Sequence, residues 1–376
     1  MTLISIILGT RPEAIKLATV ILKFSSSKDF DLRIISTGQH KEMVHQILKL
    51  FDIKPNRDLK LMSEKQTLTH ITCKTITGLE KEFDKYCPDL VIVQGDTSTA
   101  FSSALAAFYR KIPVAHIEAG LRTSNKMNPY PEELNRRMIT QIADLHFAPT
   151  KLASDNLKKE GINKNVYITG NTVIDSLLKI ASSVEHPEIT NMDWEKKKII
   201  LVTVHRRENW GRNLEEITLA IKDLAKKRKE ISFLIPMHKN KIVRDKIIRE
   251  LSGISNIFLT DSLNYDELIG AIKYCHHVLT DSGGIQEEAP TFGKPVLILR
   301  DNTERLEALN SGVAKLIGTK RMNIFNEVSK ILDDSSLYNK MSKSINPFGD
   351  GNATEKIYNY CKKFLKEKNI SNLKKD

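Results

Sequence analysis

"SIILGTRPEAIKL", residues 5–17, decides the fold class. An apolar run, Ile4 to Leu8, stops at Gly9; Thr10, Arg11, Pro12 and Glu13 follow, and Lys16 comes one turn later. A short apolar run bounded by glycine reads as a buried strand. Over Pro12–Phe24, Ile15, Ala18 and Leu22 then share one helical face, and Pro12 suits a first helical position. Strand, turn and helix in this order open a nucleotide-binding fold, yet the glycine-rich G-x-G-x-x-G is missing. An arginine and a lysine stand where a dinucleotide site would offer bare backbone, so the ligand arrangement must differ.

The same alternation runs along the chain. Strands are expected near Leu3–Leu8, Leu32–Ser36, Leu90–Gln94, Pro113–Ile117, Leu145–Ala148 and Val166–Thr169. A second set is expected near Ile199–Val204, Ile231–Pro236, Asn256–Leu259, His277–Thr280, Pro295–Leu299 and Val313–Ile317. Between them lie amphipathic helices such as Glu132–Ala143, where Leu134, Met138 and Ile142 are spaced by four. So many strands do not fit one sheet, and 376 residues exceed one ordinary core. The economical reading is α/β with two Rossmann-like doubly wound domains, each with a mostly parallel sheet, facing across a cleft. The expected domains are residues 1–170 and 171–352, joined through the loop ASSVEHPEITNMD. A last helix, Ala353–Leu365 within the tail 353–376, is expected to pack back on the first domain.

Composition excludes several classes. Forty per cent hydrophobic and 28% charged residues describe a soluble globular protein. MTLISIIL reads as a buried strand and not as a signal peptide, and no apolar run approaches the ~20 residues of a membrane span. Cys73, Cys87, Cys275 and Cys361 are scattered without C-x-x-C, which fits free thiols in a reducing cytoplasm. The net charge of +12 is spread over EKKKII, AKKRKE and the C-terminal segment, so it reads as a basic surface and not as a nucleic-acid platform.

The polar clusters fall at expected strand ends. VIVQGDTST places Asp96, HIEAGLRT places Glu118, and NPYPEELNRR opens a helix with Glu132 and Glu133. Each has a structural reading, because Asp and Thr cap helices and glutamates suit a first helical turn. Three carboxylates on one rim point instead to acid/base work. In TDSGGIQEEAPTFGKP, Ser282, Gly283 and Gly284 turn into a short helix that Pro290 ends, a place where backbone N–H groups approach a diphosphate. Glu288 is placed to accept from ribose hydroxyls. VTVHRRENWG puts His205, Arg206 and Arg207 at another strand end, suited to polyphosphate charge. No metal is expected: His40 and His45 are five apart, and the side chains of His276 and His277 should diverge.

Together GTRPEAIKL, STGQHKEM, QGDTSTAF, HIEAGLRT, NPYPEELNRR, ITGNTVID, VHRREN and DSGGIQEEAPTFGKPVLILRDNTER resemble the non-hydrolysing UDP-N-acetylglucosamine 2-epimerases over nearly the whole chain. The resemblance implies a GT-B fold, a homodimer, and no metal, nicotinamide or other cofactor. It implies interconversion of UDP-GlcNAc and UDP-ManNAc by anti elimination of UDP through 2-acetamidoglucal and re-addition, supplying surface polysaccharide synthesis. Carried over by motif, Asp96, Glu118 and Glu132 are acid/base residues, and His205 assists departure of UDP. Arg11, Lys16, Ser282, Gly283, Gly284, Glu288 and Arg305 are implied nucleotide-sugar contacts. Some members bind a second UDP-GlcNAc as activator; Gln39, His40 and His238 match that site, whereas Glu42 and Lys65 depart from its Gln and Arg. Which carboxylate takes the C2 proton is left open.

Four rivals share parts of this pattern. A hydrolysing relative would release ManNAc and UDP, but Pro12 and Glu13 follow Arg11 as in the non-hydrolysing group. An epimerase for a related UDP-2-acetamido sugar would differ only in small loop changes. A glycosyltransferase or a silent nucleotide-sugar binder would not need all three carboxylates.

Overall fold

The structure, a computed structural model, describes residues 2–39, 41–62, 66–123 and 125–373. It divides into two units, Met1–Ser176 with Phe348–Asp376, and Leu177–Pro347. The first unit is built on β1 (Thr2–Leu8), β2 (Phe30–Ser36), β3 (Arg57–Asp58), β4 (Leu90–Gln94), β5 (Val114–Ile117), β6 (Leu145–Ala148) and β7 (Val166–Ile168). Their order is β3-β2-β1-β4-β5-β6-β7, with every pairing parallel. All residues of β4, β5 and β6 are buried, as helix-covered parallel strands must be.

The second unit repeats the plan with β8 (Lys198–Thr203), β9 (Ile231–Pro236), β10 (Ile257–Thr260), β11 (His277–Thr280), β12 (Val296–Ile298) and β13 (Ala314–Leu316). The order is β10-β9-β8-β11-β12-β13, again parallel throughout. In each sheet the strand order therefore reverses once, between β1 and β4 and between β8 and β11. Such a reversal opens a crevice at the carboxyl ends of the two strands, where doubly wound folds bind ligands.

The strands expected from sequence are present to within two residues at either end. The two-residue edge strand β3 is an addition, too short to leave a periodic signal. The opening helix runs Arg11–Ser25, so Pro12 occupies its second position. The short helix Gly283–Glu288 gives way to a tighter turn, Ala289–Phe292, that contains Pro290.

Gly9 ends β1 because nothing larger fits. A Cβ there would lie 2.2 Å from Thr37 Oγ1 and 2.6 Å from Thr99 Oγ1. In the first unit the final helix, Ala353–Leu373, covers the opening one. Asp175 accepts from the N–H groups of Ala353 and Thr354 at 3.3 and 2.7 Å, capping that helix. The Tyr358 ring packs edge-on against Phe24 and Phe30, and Tyr360 stacks on Tyr167 at 3.7 Å. Among the described residues no helix is long and apolar enough to cross a membrane. All four cysteines are free.

Candidate active site

At the first switch point the motif GTRPE folds on itself. Glu13 is buried and accepts from the N–H groups of Gly9 and Thr10 at 2.9 and 2.6 Å and from Thr97 Oγ1 at 2.7 Å. It ties the turn after β1 to the turn after β4, and burial raises its pKa in spite of these donors. Asp96 stands in the second of those turns. Its Oδ2 takes Arg136 Nε at 2.9 Å and Nη2 at 2.5 Å, and its backbone carbonyl takes Asn135 Nδ2 at 2.9 Å. Arg136 reaches on to Glu133 at 3.2 Å. Burial drives the Asp96 pKa upward, Arg136 opposes it, and the neighbouring Glu118 charge pushes it further up; the net shift is a rise.

Glu118 follows β5 in a left-handed conformation, φ +66°, that a non-glycine residue adopts at a cost of about 1 kcal/mol. The strain aims its carboxylate back at the switch point. There it accepts from Lys16 Nζ at 2.5 Å, Gln94 Nε2 at 2.5 Å and Asn171 Nδ2 at 2.9 Å. Lys16, expected as a nucleotide-sugar contact, is thus placed on Glu118 with both side chains largely buried. Arg11 begins the opening helix, half-buried.

The helix Glu132–Ile142 begins directly after the loop NPYP. Its two leading glutamates differ sharply. Glu133 is fully buried and accepts from Thr123 N, Arg136 and Arg137. Glu132 is half-buried and makes no side-chain hydrogen bond or ion pair among the described residues. Glu133 is a clamp; Glu132 keeps its carboxylate available.

At the second switch point the charge pattern inverts. Asp281, just past β11, is wholly buried and gathers the turn after β8. It accepts from His205 N at 3.0 Å, Arg206 N at 2.9 Å and Asn209 Nδ2 at 3.0 Å, and its Oδ1 lies 3.1 Å from His205 Nδ1. Burial works against its charge, but the His205 contact and these N–H donors prevail and lower its pKa. The guanidinium groups of Arg206 and Arg305 converge on Gly283, 3.5 and 3.9 Å from where its Cβ would sit. Arg305 is held by Glu287 at 2.5 Å, and Thr303 bonds Gln286 at 2.7 Å, so the DNTER loop is fastened to the Ser282–Gly284 turn. Arg300 anchors Glu208 and Glu304 at 2.6 and 3.0 Å, and Glu304 faces Arg206 at 3.7 Å. The Glu288 carboxylate lies 3.7 Å from a Cβ built on Gly284.

The remaining candidates separate. Gln39 accepts from Thr99 Oγ1 at 2.7 Å in the first unit. Glu42, on the helix Lys41–Leu50, lines a cavity of about 340 Å³ with Ser36, Val44, His45, Leu48, Pro55 and Asp58. His238 belongs to the second unit, its ring stacked 5.9 Å from that of His205. His40 and Lys65 lie outside the described residues. His276 and His277 do not diverge as expected: their Nδ1 atoms are 2.9 Å apart. His276 precedes β11, where strand alternation does not yet apply, and its ring is drawn toward Tyr338.

The family model described as UDP-N-acetylglucosamine 2-epimerase matches residues 22–362. The UDP-N-acetylglucosamine 2-epimerase of Campylobacter jejuni is 46% identical over 371 residues, covering 95% of this chain and 96% of its own. The chain belongs to the UDP-N-acetylglucosamine 2-epimerase family. Among solved structures, the UDP-GlcNAc 2-epimerase from Neisseria meningitidis bound to UDP-GlcNAc is similar with a TM-score of 0.87 at 43% identity, over 96% of this chain and 100% of that one. The Methanocaldococcus jannaschii enzyme in complex with UDP-GlcNAc and UDP gives 0.77 at 32% identity, over 95% and 99%. The two doubly wound parallel sheets are those of the family's GT-B architecture.

In this family member the supporting residues were less visible in sequence than the candidates they hold. Arg136 lies inside NPYPEELNRR and Asn171 inside ITGNTVID, both stretches that carry the resemblance. Asp281 borders the candidate Ser282, and Gln94 and Glu13 stand two positions from Asp96 and Arg11. Their motifs were visible, but their partners are 24 to 84 positions away.

Proposed function

We propose that the protein is a non-hydrolysing epimerase that inverts C2 of UDP-GlcNAc to give UDP-ManNAc, and the reverse. The observation that supports this best is the carboxylate pair of the first unit. Asp96 carries a raised pKa beside Glu118, whose carboxylate is held by three donors. Two acids in unlike environments suit a reaction that takes a proton from one face of a carbon and returns one to the other. In the elimination, a base removes the C2 proton, the C–H electron pair forms the C1=C2 bond, and the C1–O bond breaks to release UDP. Addition to 2-acetamidoglucal reverses these steps with protonation on the opposite face. Asp96, Glu118 and Glu132 are the acid/base set.

The second unit's task is to keep the departing nucleotide. Arg206, Arg305 and the backbone of Ser282, Gly283 and Gly284 bind the diphosphate, Glu288 binds the ribose, and His205 assists departure. Arg11 and Lys16 complete the sugar side, Lys16 by compensating Glu118. Retained UDP is what separates epimerisation from hydrolysis, because the glucal must meet UDP before water. The enzyme works as a cytoplasmic homodimer without a cofactor and feeds polysaccharide synthesis. A second UDP-GlcNAc acts as an activator, a reading supported by the motif match of Gln39, His40 and His238, with Glu42 and Lys65 departing from that pattern.

Incubation with UDP-GlcNAc in D2O, followed by proton spectra, tests the reading. Deuterium at C2 and a mixture containing UDP-ManNAc are expected. Free ManNAc with stoichiometric UDP would replace this reading by the hydrolysing one. The same assay started from UDP-ManNAc, with and without traces of UDP-GlcNAc, tests activation; equal rates would exclude it.

A further inference from the structure

We infer that Asp281, braced by Asn209, is a positioning residue that commits His205 to the tautomer with hydrogen on Nδ1 and so presents Nε2 to the departing diphosphate. The inference deepens the proposed function and rests on its assignment of His205 to UDP departure.

The argument begins with donor and acceptor inventory. An ionised carboxylate only accepts hydrogen bonds. Asp281 is fully buried, and its Oδ2 is occupied by the N–H groups of His205 and Arg206 and by Asn209 Nδ2. These donors stabilise the charged form and fix the carboxylate plane. Oδ1 then faces His205 Nδ1 at 3.1 Å. A hydrogen bond at that contact requires the proton on Nδ1, which leaves Nε2 with the lone pair in the neutral ring. When the ring is protonated, Asp281 stabilises the imidazolium, and Nε2–H becomes the donor. The His205 side chain is 39% exposed while Asp281 is closed off.

Asn209 is the brace behind this pair. It is buried, and its Nδ2 is shared between Asp281 Oδ2 at 3.0 Å and the carbonyl of Leu299 at 3.1 Å. One amide therefore ties the turn after β8 to the ends of both β11 and β12. The other groups around the ring do not compete for Nδ1. His238 stacks 5.9 Å from the His205 ring, its pKa lowered by burial and then by His205. Arg206, the next residue, is faced by Glu304 at 3.7 Å. Asp281 is thus the charged group at hydrogen-bonding distance from the His205 ring among the described residues.

The test uses full-length protein labelled with 15N-histidine, with His205→Gln assigning the signals. The wild-type spectrum should show His205 with hydrogen on Nδ1; hydrogen on Nε2 alone overturns the inference, whether or not any variant folds. In Asp281→Asn the amide presents N–H toward the ring, so the tautomer should switch to Nε2–H. Its kcat should fall roughly a thousand-fold, while UDP affinity changes less than about threefold. Asn209→Ala, which leaves both acid and imidazole in place, should lower kcat about tenfold with UDP affinity retained. An unswitched tautomer or unchanged kcat in a folded Asp281→Asn variant overturns the positioning role. Full activity of His205→Gln would instead overturn the functional reading beneath it, and the 15N spectrum would still decide the tautomer.

Discussion

The two units share a strand order and a switch point, yet they use charge in opposite ways. In the first, a cation holds an acid: Arg136, 11% exposed, lies behind Asp96, 23% exposed. In the second, acids hold basic groups: Asp281 at 0% lies behind His205 at 39%, and Glu287 at 4% behind Arg305 at 21%. In each pair the more open member is the one suited to its half of the proposed chemistry. A carboxylate with a raised pKa exchanges protons, and guanidinium and imidazole groups attract phosphate. The Lys16–Glu118 pair is the exception, closed on both sides, with the backbone strain of Glu118 marking it as more than a surface contact. Topology therefore supplies the crevice, and the identity of the buried partner decides which charge faces outward.

The comparison makes a double dissociation the strongest test. Asp96→Asn should lower kcat by roughly 10²- to 10⁴-fold while leaving UDP affinity nearly intact. Rate measurement by product separation and UDP titration by calorimetry would read the two sides. Arg305→Ala should do the reverse, weakening UDP binding about ten- to a hundred-fold through loss of charge-assisted hydrogen bonds, with a smaller effect on saturated turnover. If both variants lost binding equally, the division of labour between the switch points would not stand.

Acidification gives the smallest and most discriminating effect. Glu304 has its pKa lowered from 4.5 to about 2, because Arg300 and its backbone donor outweigh burial. A carboxylate depressed on folding stabilises the native state above its ordinary pKa, and this contribution is lost as pH falls through the folded value. Glu304→Gln should therefore flatten the decline of Tm between pH 4.5 and about 2. Asp96, shifted the opposite way, should take up its proton at higher pH, so turnover should fail in acid before the second unit loosens. Parallel pH series of kcat and Tm in the wild type and in Glu304→Gln would show the order.

Much of this was legible before any coordinates. The strands stand at the short apolar runs, several closed by glycine or acid, because buried parallel strands require continuous apolar stretches. The edge strand at Arg57 and Asp58 left no such trace, since two residues cannot show a period. Asp96, Glu118 and His205 were visible as polar residues closing apolar runs. Arg136, Asn171 and Asp281 were not visible as their partners, since contacts across 40, 53 and 76 positions follow from strand order. The difference between Glu132 and Glu133 was invisible for another reason. Adjacent helical positions differ by about 100° of rotation, and only the packing shows which one faces inward.

By itself, then, the sequence determined the alternation of strand and helix, the motif order and the family to which the chain belongs. Local apolar periodicity and residue identity are enough for those. Tertiary structure alone decided what the lysine of the opening stretch stands beside. Lys16 meets Glu118, 102 positions away, because β1 lies next to β4 and β4 next to β5 in the sheet. The single glycine of that stretch is required by crowding from Thr37 and Thr99, a constraint that exists only once three separate strand ends have been brought together.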